Sequence, residues 1–170
     1  MTAENDISIS PASAADLRAL AGLMANSPLL ARYRVAYGAA LASLEDAHAA
    51  GDALLVAHVP DAASAGIVLI AGFAWVAFAP RVLGGAAYLR LLLVAGGWQG
   101  QGLGARLLEV AERVAAERAN HLYLLATTDN TGARRFYVRH GYRHVGDLPG
   151  LVWPDLDEAL YHKPLRPRSA

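Results

Sequence analysis

The sequence predicts one α/β domain built on a mixed central sheet of about seven strands with four helices. The apolar run 89–94 is followed by a glycine-rich turn and then by the amphipathic stretch 103–119, which is a strand–turn–helix order. The 170 residues are 55% hydrophobic and 18% charged, which is typical of a chain with a sizeable core. Because no repeat or linker interrupts it, we expect a single domain over residues 1–170, with its core at about 5–165.

The N-terminal half contains segments with the two-residue alternation of strands and segments with the start and stop signals of helices. Ile7 and Ile9 alternate with serines, as in a half-buried strand, and Ser13 is suited to cap the helix that follows. Gly51 is a stop signal for an alanine-rich helix. The expected elements are a strand at 7–10, a helix that runs through Met24, a helix over 29–50, and strands over 53–59 and 67–78 joined by a turn at 60–65.

The C-terminal half continues the alternation of strand and helix. The stretch 103–119 has apolar residues on one face at a spacing of 3.6 and charged residues opposite. Gly141 is expected to end a second, shorter helix. The expected elements are a strand at 86–94, a helix at 103–119, a strand at 121–127, a helix at 131–140, and strands at 142–148 and 158–163.

Residues 99–104, Gln-Gly-Gln-Gly-Leu-Gly, form the turn between a strand and a helix. Glycine at three of these positions removes the Cβ atoms that would keep a ligand away, and it permits left-handed backbone angles. The first turn of the following helix offers unpaired N–H groups and the positive end of the helix dipole. The turn therefore predicts an anion site, with phosphate or pyrophosphate as the natural ligand.

The turn resembles the pyrophosphate loop of the GNAT superfamily of N-acetyltransferases, Gln/Arg-x-x-Gly-x-Gly/Ala, through Gln99, Gly102 and Gly104. Residues 130–142 are similar to a second motif of that family, Asn-x-x-Ala-x-x-Phe-Tyr-x-x-x-Gly-Phe, with Tyr142 at the last aromatic position. The resemblance in specific residues covers 89–142. It implies the GNAT fold, with the sheet splayed between its fourth and fifth strands.

The resemblance also implies a function. It implies acetyl-CoA as the cofactor and direct transfer of an acetyl group to a primary amine of a small molecule or peptide. The N–H of Val94 would face the thioester carbonyl and Tyr137 would protonate the leaving thiolate, so these two are the implied catalytic residues. The implied cofactor contacts are Leu92, Val94, Gln99, Gly100, Gln101, Gly102, Leu103, Gly104, Ala105, Asn130, Ala133 and Tyr137.

Several roles stay open at this point. Tyr137 could instead be a packed core residue, and Asn130 could contact the cofactor, cap a helix, or do both. Four arginines lie in or near the second motif: Arg134, Arg135, Arg139 and Arg143. They either form a solvated face or include a contact to the 3′-phosphate of CoA. The strand 88–93 has no carboxylate to act as general base, so water, another segment or a neutral amine must serve.

Composition excludes several other functions. The sequence has no cysteine, so disulfides, thiolate metal sites and an acyl-cysteine relay are absent. Fifteen basic and fifteen acidic residues give no general attraction to nucleic acid or to a membrane surface. No metal site is expected, because Gly141 interrupts the helix that would align His140 with His144. We expect a cytoplasmic protein, since the N-terminus does not resemble a secretory signal, and we leave a homodimer open.

Two further functions compete with acetyl transfer. Gly100-x-Gly102-x-x-Ala105 satisfies a relaxed dinucleotide-binding pattern, which is typical of NAD-type oxidoreductases. That pattern also requires an acidic residue near position 125, where the chain has Leu-Leu-Ala. The second alternative is a non-catalytic sensor of acyl-CoA on the same fold, which the missing carboxylate of strand 88–93 allows.

Overall fold

The computed structural model describes residues 7–61, 68–78 and 84–165. These residues contain seven strands and five α-helices in an alternating order. The elements are β1 (Ser8–Pro11), α1 (Leu17–Ala25), α2 (Pro28–Ala31), α3 (Tyr37–Ala50), β2 (Ala53–Pro60), β3 (Val68–Phe78), β4 (Ala87–Val94), a 3₁₀ turn (Gly96–Trp98), α4 (Leu103–Arg118), β5 (His121–Thr127), α5 (Thr131–Arg139), β6 (Arg143–Trp153) and β7 (Leu156–Pro164).

The seven strands form one sheet in the order β1-β2-β3-β4-β5-β7-β6. β4 and β5 are parallel, whereas β5 with β7 and β6 with β7 are antiparallel, so the sheet is mixed. The register of β4 and β5 pairs Ala87 with Leu122 and ends at the pair Leu89 and Leu124, although β4 continues to Val94. This short pairing and the strand order confirm the predicted mixed α/β fold with its splayed parallel strands.

Two predictions about the N-terminal helices differ from the structure. The region 29–50 is two helices instead of one, because the chain turns between Ala31 and Tyr37, where Arg34 has a left-handed φ of 55° that no helix can contain. Ser13 does not cap α1, since its hydroxyl donates to Asp16 Oδ2 at 2.7 Å and the helix begins at Leu17. The predicted turn at 60–65 lies outside the described residues, apart from Pro60 and Asp61.

The contacts divide the chain into two compact units, and the first consists of Met1–Trp75 with Leu91–Ala111. Its core packs α1, α2 and α3 with side chains of β2, β3 and β4, and includes Phe73. Gly72 on β3 leaves room for the main chain of β4, because a Cβ atom there would lie 2.5 Å from the Leu93 carbonyl oxygen. The N–H of Ala95 donates to the carbonyl of Ala71 at 2.8 Å.

The second unit consists of Val76–Arg90 with Glu112–Ala170. Tyr161 on β7 is fully buried in it, and Lys163 Nζ makes a 2.6 Å ion pair with Glu112 Oε2. Among the helices that the structure describes, none has both the length and the apolar character of a membrane span. A single domain over residues 1–170 stays a prediction.

Candidate functional site

The glycine loop, residues 99–104, lies in the first unit directly before α4. Gly100 and Gly102 have φ of 74° and 80°, which only glycine adopts readily. A Cβ atom built on either residue would meet no heavy atom within 4 Å, so both face open space. The backbone conformation therefore requires glycine at these two positions, and neither glycine would hold a ligand away with a side chain.

The loop presents five consecutive backbone donors. Within the part of the chain that the structure describes, no acceptor binds the N–H groups of residues 100–104. The two flanking N–H groups are used inside the chain: Gln99 donates to Gly96 at 3.4 Å and Ala105 donates to Gly102 at 3.0 Å. Five open donors at the start of a 16-residue helix make an anion site without any cationic side chain.

The two glutamines of the loop hold its shape. Gln99 Nε2 donates to the Val94 carbonyl at 3.1 Å, and Gln101 Nε2 donates to the Gly97 carbonyl at 2.9 Å. Both side-chain amides therefore brace the 3₁₀ turn that leads from β4 into the loop. Leu92 and Val94, whose main-chain groups are the cofactor contacts implied by the family resemblance, are half-buried near the end of β4.

The second motif forms the start of α5 in the second unit. Asn130 Oδ1 accepts the N–H of Ala133 at 3.1 Å, so Asn130 is the N-cap of this helix. Gly141 has φ of 86° and follows the end of the helix. The capping role that the sequence allowed for Asn130 is thus present, and none of the described residues pairs with its Nδ2.

Tyr137 is the buried aromatic residue of α5. Its side chain is 8% exposed and packs edge-on against Tyr142, with ring centroids 5.6 Å apart. Burial, with a smaller contribution from the nearby Tyr88, raises the pKa of its phenol well above the ordinary value. No hydrogen bond joins its hydroxyl to another of the described residues. Tyr137 therefore combines a packed ring with an available, firmly held proton.

The structure also shows a buried carboxylate that sequence reasoning missed. Glu158 on β7 is 1% exposed and pairs with Thr127 on β5. The pKa of Tyr88 is raised mainly by burial and further by the charge of Glu158, so the two side chains interact. Nothing in the alternation of β7 marks this position as buried.

The histidines near α5 have other partners. His140 Nδ1 lies 2.8 Å from the Phe136 carbonyl oxygen, and His144 Nε2 lies 2.8 Å from Asp147 Oδ1. In residues 7–61, 68–78 and 84–165, no group of three or more His, Cys, Asp or Glu side chains is arranged to hold a metal. The second unit also has a cavity of about 400 Å³ at the β6–β7 turn, lined by Thr127, Thr128, Asp129, Pro154, Asp155, Leu156 and Asp157.

One family of known sequences and several solved structures are similar to this chain. The sequence profile described as the acetyltransferase (GNAT) family matches residues 32–142. No curated protein matches the sequence. A similar fold occurs in yncA of Salmonella typhimurium, solved with its cofactor acetyl-CoA, with a TM-score of 0.75, 19% identity and 98% of each chain covered. Ribosomal-protein-alanine N-acetyltransferase of Brucella melitensis is also similar, with a TM-score of 0.72, 21% identity, and coverage of 92% of this chain and 99% of that chain. Ard1 of Thermoplasma volcanium is a third similar structure, with a TM-score of 0.73, 20% identity, and coverage of 94% of this chain and 97% of that chain.

The chain belongs to the acetyltransferase (GNAT) family, since the profile covers well over half of its length. The solved structures are similar in fold, and acetyl-CoA is the acetyl donor of the family. Family membership confirms the resemblance inferred from the glycine loop and the second motif. The roles of individual residues stay predictions.

Proposed function

We propose that this protein transfers the acetyl group of acetyl-CoA directly to a primary amine of a small molecule or peptide. The observation that carries the proposal is the run of five open N–H donors at residues 100–104 in a chain of the acetyltransferase family. Brucella ribosomal-protein-alanine N-acetyltransferase, similar in fold, supports including protein N-termini among the acceptors. A cytoplasmic location and a homodimer stay predictions.

The glycine loop would hold the pyrophosphate of acetyl-CoA. Its positive φ values, the open space in front of Gly100 and Gly102, and its unpaired donors fit a ligand with two adjacent phosphates. Because the donors belong to the backbone, binding at this loop depends on the glycines and on the two glutamines that brace the turn, and little on the other side chains. The main-chain groups of Leu92 and Val94 are proposed to bind the rest of the cofactor arm and to stabilise negative charge on the carbonyl oxygen.

Tyr137 is proposed to act as the general acid toward the departing thiolate, through the hydrogen bond that its hydroxyl donates to the sulfur. Bound acetyl-CoA brings an acetyl group activated as a thioester. The raised pKa keeps the phenol protonated at neutral pH, so its hydroxyl is always able to donate. Because an ordinary thiol has a pKa of about 8.5, the phenol stabilises the thiolate chiefly as a hydrogen-bond donor, and solvent can complete protonation.

The acceptor amine is proposed to lose its proton without help from β4. The strand has no carboxylate, so the amine either arrives neutral or loses its proton through water. Glu158 is the carboxylate of another segment that could serve as a base instead. The two routes differ in the pH dependence of the reaction, which a comparison of acceptor amines measures.

A non-catalytic sensor of acyl-CoA is the remaining alternative, because the same loop could bind the cofactor without turnover. The dinucleotide-binding interpretation has no support from the family assignment, and absorbance of a nicotinamide on binding would test it.

A screen of amines tests the proposal. Amino acids, polyamines, aminoglycosides and peptides with free N-termini are each incubated with acetyl-CoA, and free thiol and acetylated product are measured together. Equal amounts of thiol and product with at least one class of amine support transfer. Tight binding of acetyl-CoA without thiol release above solvent hydrolysis, for every amine, would favour the sensor.

A further inference from the structure

A second cavity in the second unit lies along the exposed side of α5. Its volume is about 670 Å³, within the range of small-molecule sites. We call it the arginine cavity. Its lining residues are Thr131, Arg134, Arg135, Val138, Arg139, His144 and Tyr161.

One guanidinium of the cavity is held in place by the fold. Arg134 Nε donates to the hydroxyl of Tyr161 at 3.0 Å, and Arg134 Nη1 donates to the Thr128 carbonyl at 2.9 Å. Tyr161 is itself fully buried, so this pair fixes the arginine against a rigid part of β7. A guanidinium with a fixed position loses little entropy when it binds an anion.

The other two arginines have no anionic partner of their own. Arg135 and Arg139 are exposed, lie four residues apart on α5, and make no ion pair with any residue that the structure describes. Like charges at this spacing weaken a helix. No carboxylate lines the cavity, and Asp147, which lies near Arg134, is bound to His144 at 2.8 Å. The cavity thus concentrates positive charge that the described residues do not balance.

Most of the α5 residues that line the arginine cavity lie on a different face of the helix from Ala133 and Tyr137, whereas Arg134 lies between the two faces. Ala133 and Tyr137 are four residues apart and share one face, and Tyr137 is buried there. Val138 is 56% exposed and lies with Thr131 and Arg135 on the cavity side. One helix therefore presents a proposed catalytic side chain on one face and a cationic cavity on another.

We propose that the arginine cavity binds a phosphate-bearing small molecule of nucleotide size, as a ligand distinct from acetyl-CoA. Guanidinium groups bind phosphate oxygens through two parallel hydrogen bonds, which favours phosphate over a point-like anion such as chloride. Arg135 and Arg139 supply the mobile contacts, and Arg134 supplies the fixed one. The exposed methyl groups of Val138 offer contact to an uncharged part of the ligand.

Calorimetry with defined probes tests this site in the full-length protein. The probes are ATP, inorganic pyrophosphate and inorganic phosphate, each added to protein already saturated with CoA. We expect ATP and pyrophosphate to bind with one-to-one stoichiometry, more tightly than phosphate, and with an affinity that falls as salt rises. The double variant Arg135→Ala/Arg139→Ala should weaken ATP binding at least tenfold. Arg113→Ala, which removes an exposed charge from α4, should change it less than twofold.

Three results would overturn the proposal. Loss of ATP binding when CoA is saturating would show that both ligands use one site. A fall in CoA affinity in the double variant, with no fall for CoA lacking the 3′-phosphate, would assign the arginines to that phosphate. Absence of binding by all three probes to the wild-type protein also contradicts the proposal. None of these results bears on acetyl transfer, which the amine screen measures separately.

Discussion

The glycine loop and the start of α5 are both turns that lead from a strand into a helix, but they differ in whether a side chain accepts their backbone N–H groups. At the loop, five N–H groups have no acceptor among the described residues, and the side chains of Gln99 and Gln101 brace the turn instead. At α5, Asn130 accepts the N–H of Ala133 with its own side chain. The loop is left open for a ligand, whereas α5 is closed by its own sequence.

The difference separates two ways of building a site. Where the backbone supplies the contacts, as in the loop, adding a side chain at a glycine should be harmful, and removing a side chain that does not brace the turn should matter little. Where a capping side chain already accepts a helix N–H, as Asn130 does at α5, function is expected to come from side chains such as Tyr137. Substitutions in the two regions should therefore change different measured quantities.

Tyr137→Phe should have the largest effect. It keeps the ring that packs against Tyr142 and removes only the hydroxyl, so acetyl-CoA affinity should hold while turnover falls by about 10²-fold. Steady-state kinetics with the best acceptor amine, together with calorimetry of acetyl-CoA, measures both quantities. Turnover within twofold of the wild type would mean that the thiolate leaves without this hydroxyl.

Gly102→Val should act on binding instead of turnover. A branched side chain at φ of 80° strains the turn and fills the open space where the anion would lie. CoA affinity should fall at least tenfold, about 1.4 kcal/mol. The matched control is Gly97→Ala, a glycine with open space around it and no positive φ, which should leave affinity within twofold. An unchanged affinity in folded Gly102→Val would refute the backbone cradle.

Asn130→Ala should chiefly lower stability. Removal of the cap leaves the N–H of Ala133 unpaired at the helix start and should cost about 1 kcal/mol of unfolding free energy. Denaturant unfolding measures the change, and Asn130→Asp, which keeps a capping oxygen, should restore most of it. If Asn130→Asp is stable yet binds CoA more weakly, the side-chain Nδ2 of Asn130 also contacts the cofactor.

The smallest expected effect concerns how the rate of acetyl transfer depends on pH. At saturating acetyl-CoA and low acceptor, the rate should rise along one ionisation that follows the pKa of the acceptor amine. The raised pKa of Tyr137 means that this group stays protonated beyond its ordinary value near 10, so it should cause no decline below that pH. Rate against pH is measured for two acceptor amines whose pKa values differ by about two units, and the account expects the inflection to move with the amine. An inflection shared by both would indicate a fixed base such as Glu158 or a histidine.

The sequence predicted the elements that carry strong local signals and missed those set by tertiary contacts. Glycine spacing predicted the loop, and alternation predicted the strands around it. The break at Arg34 was not predicted, because nothing in an alanine-rich run indicates a left-handed residue. The close approach at Gly72 and the burial of Glu158 depend on neighbouring strands that local patterns do not describe, although a glycine inside a strand is itself a signal of close approach.

The central claim is that the backbone of the glycine loop binds the cofactor, and amide NMR tests it most directly. Protein labelled with ¹⁵N is titrated with CoA, and the shift of each backbone N–H is followed. The account predicts the largest shifts for the five open donors of residues 100–104, with smaller shifts for Gln99 and Ala105, whose N–H groups are already bonded. Saturation with CoA that leaves those five signals in place would contradict it.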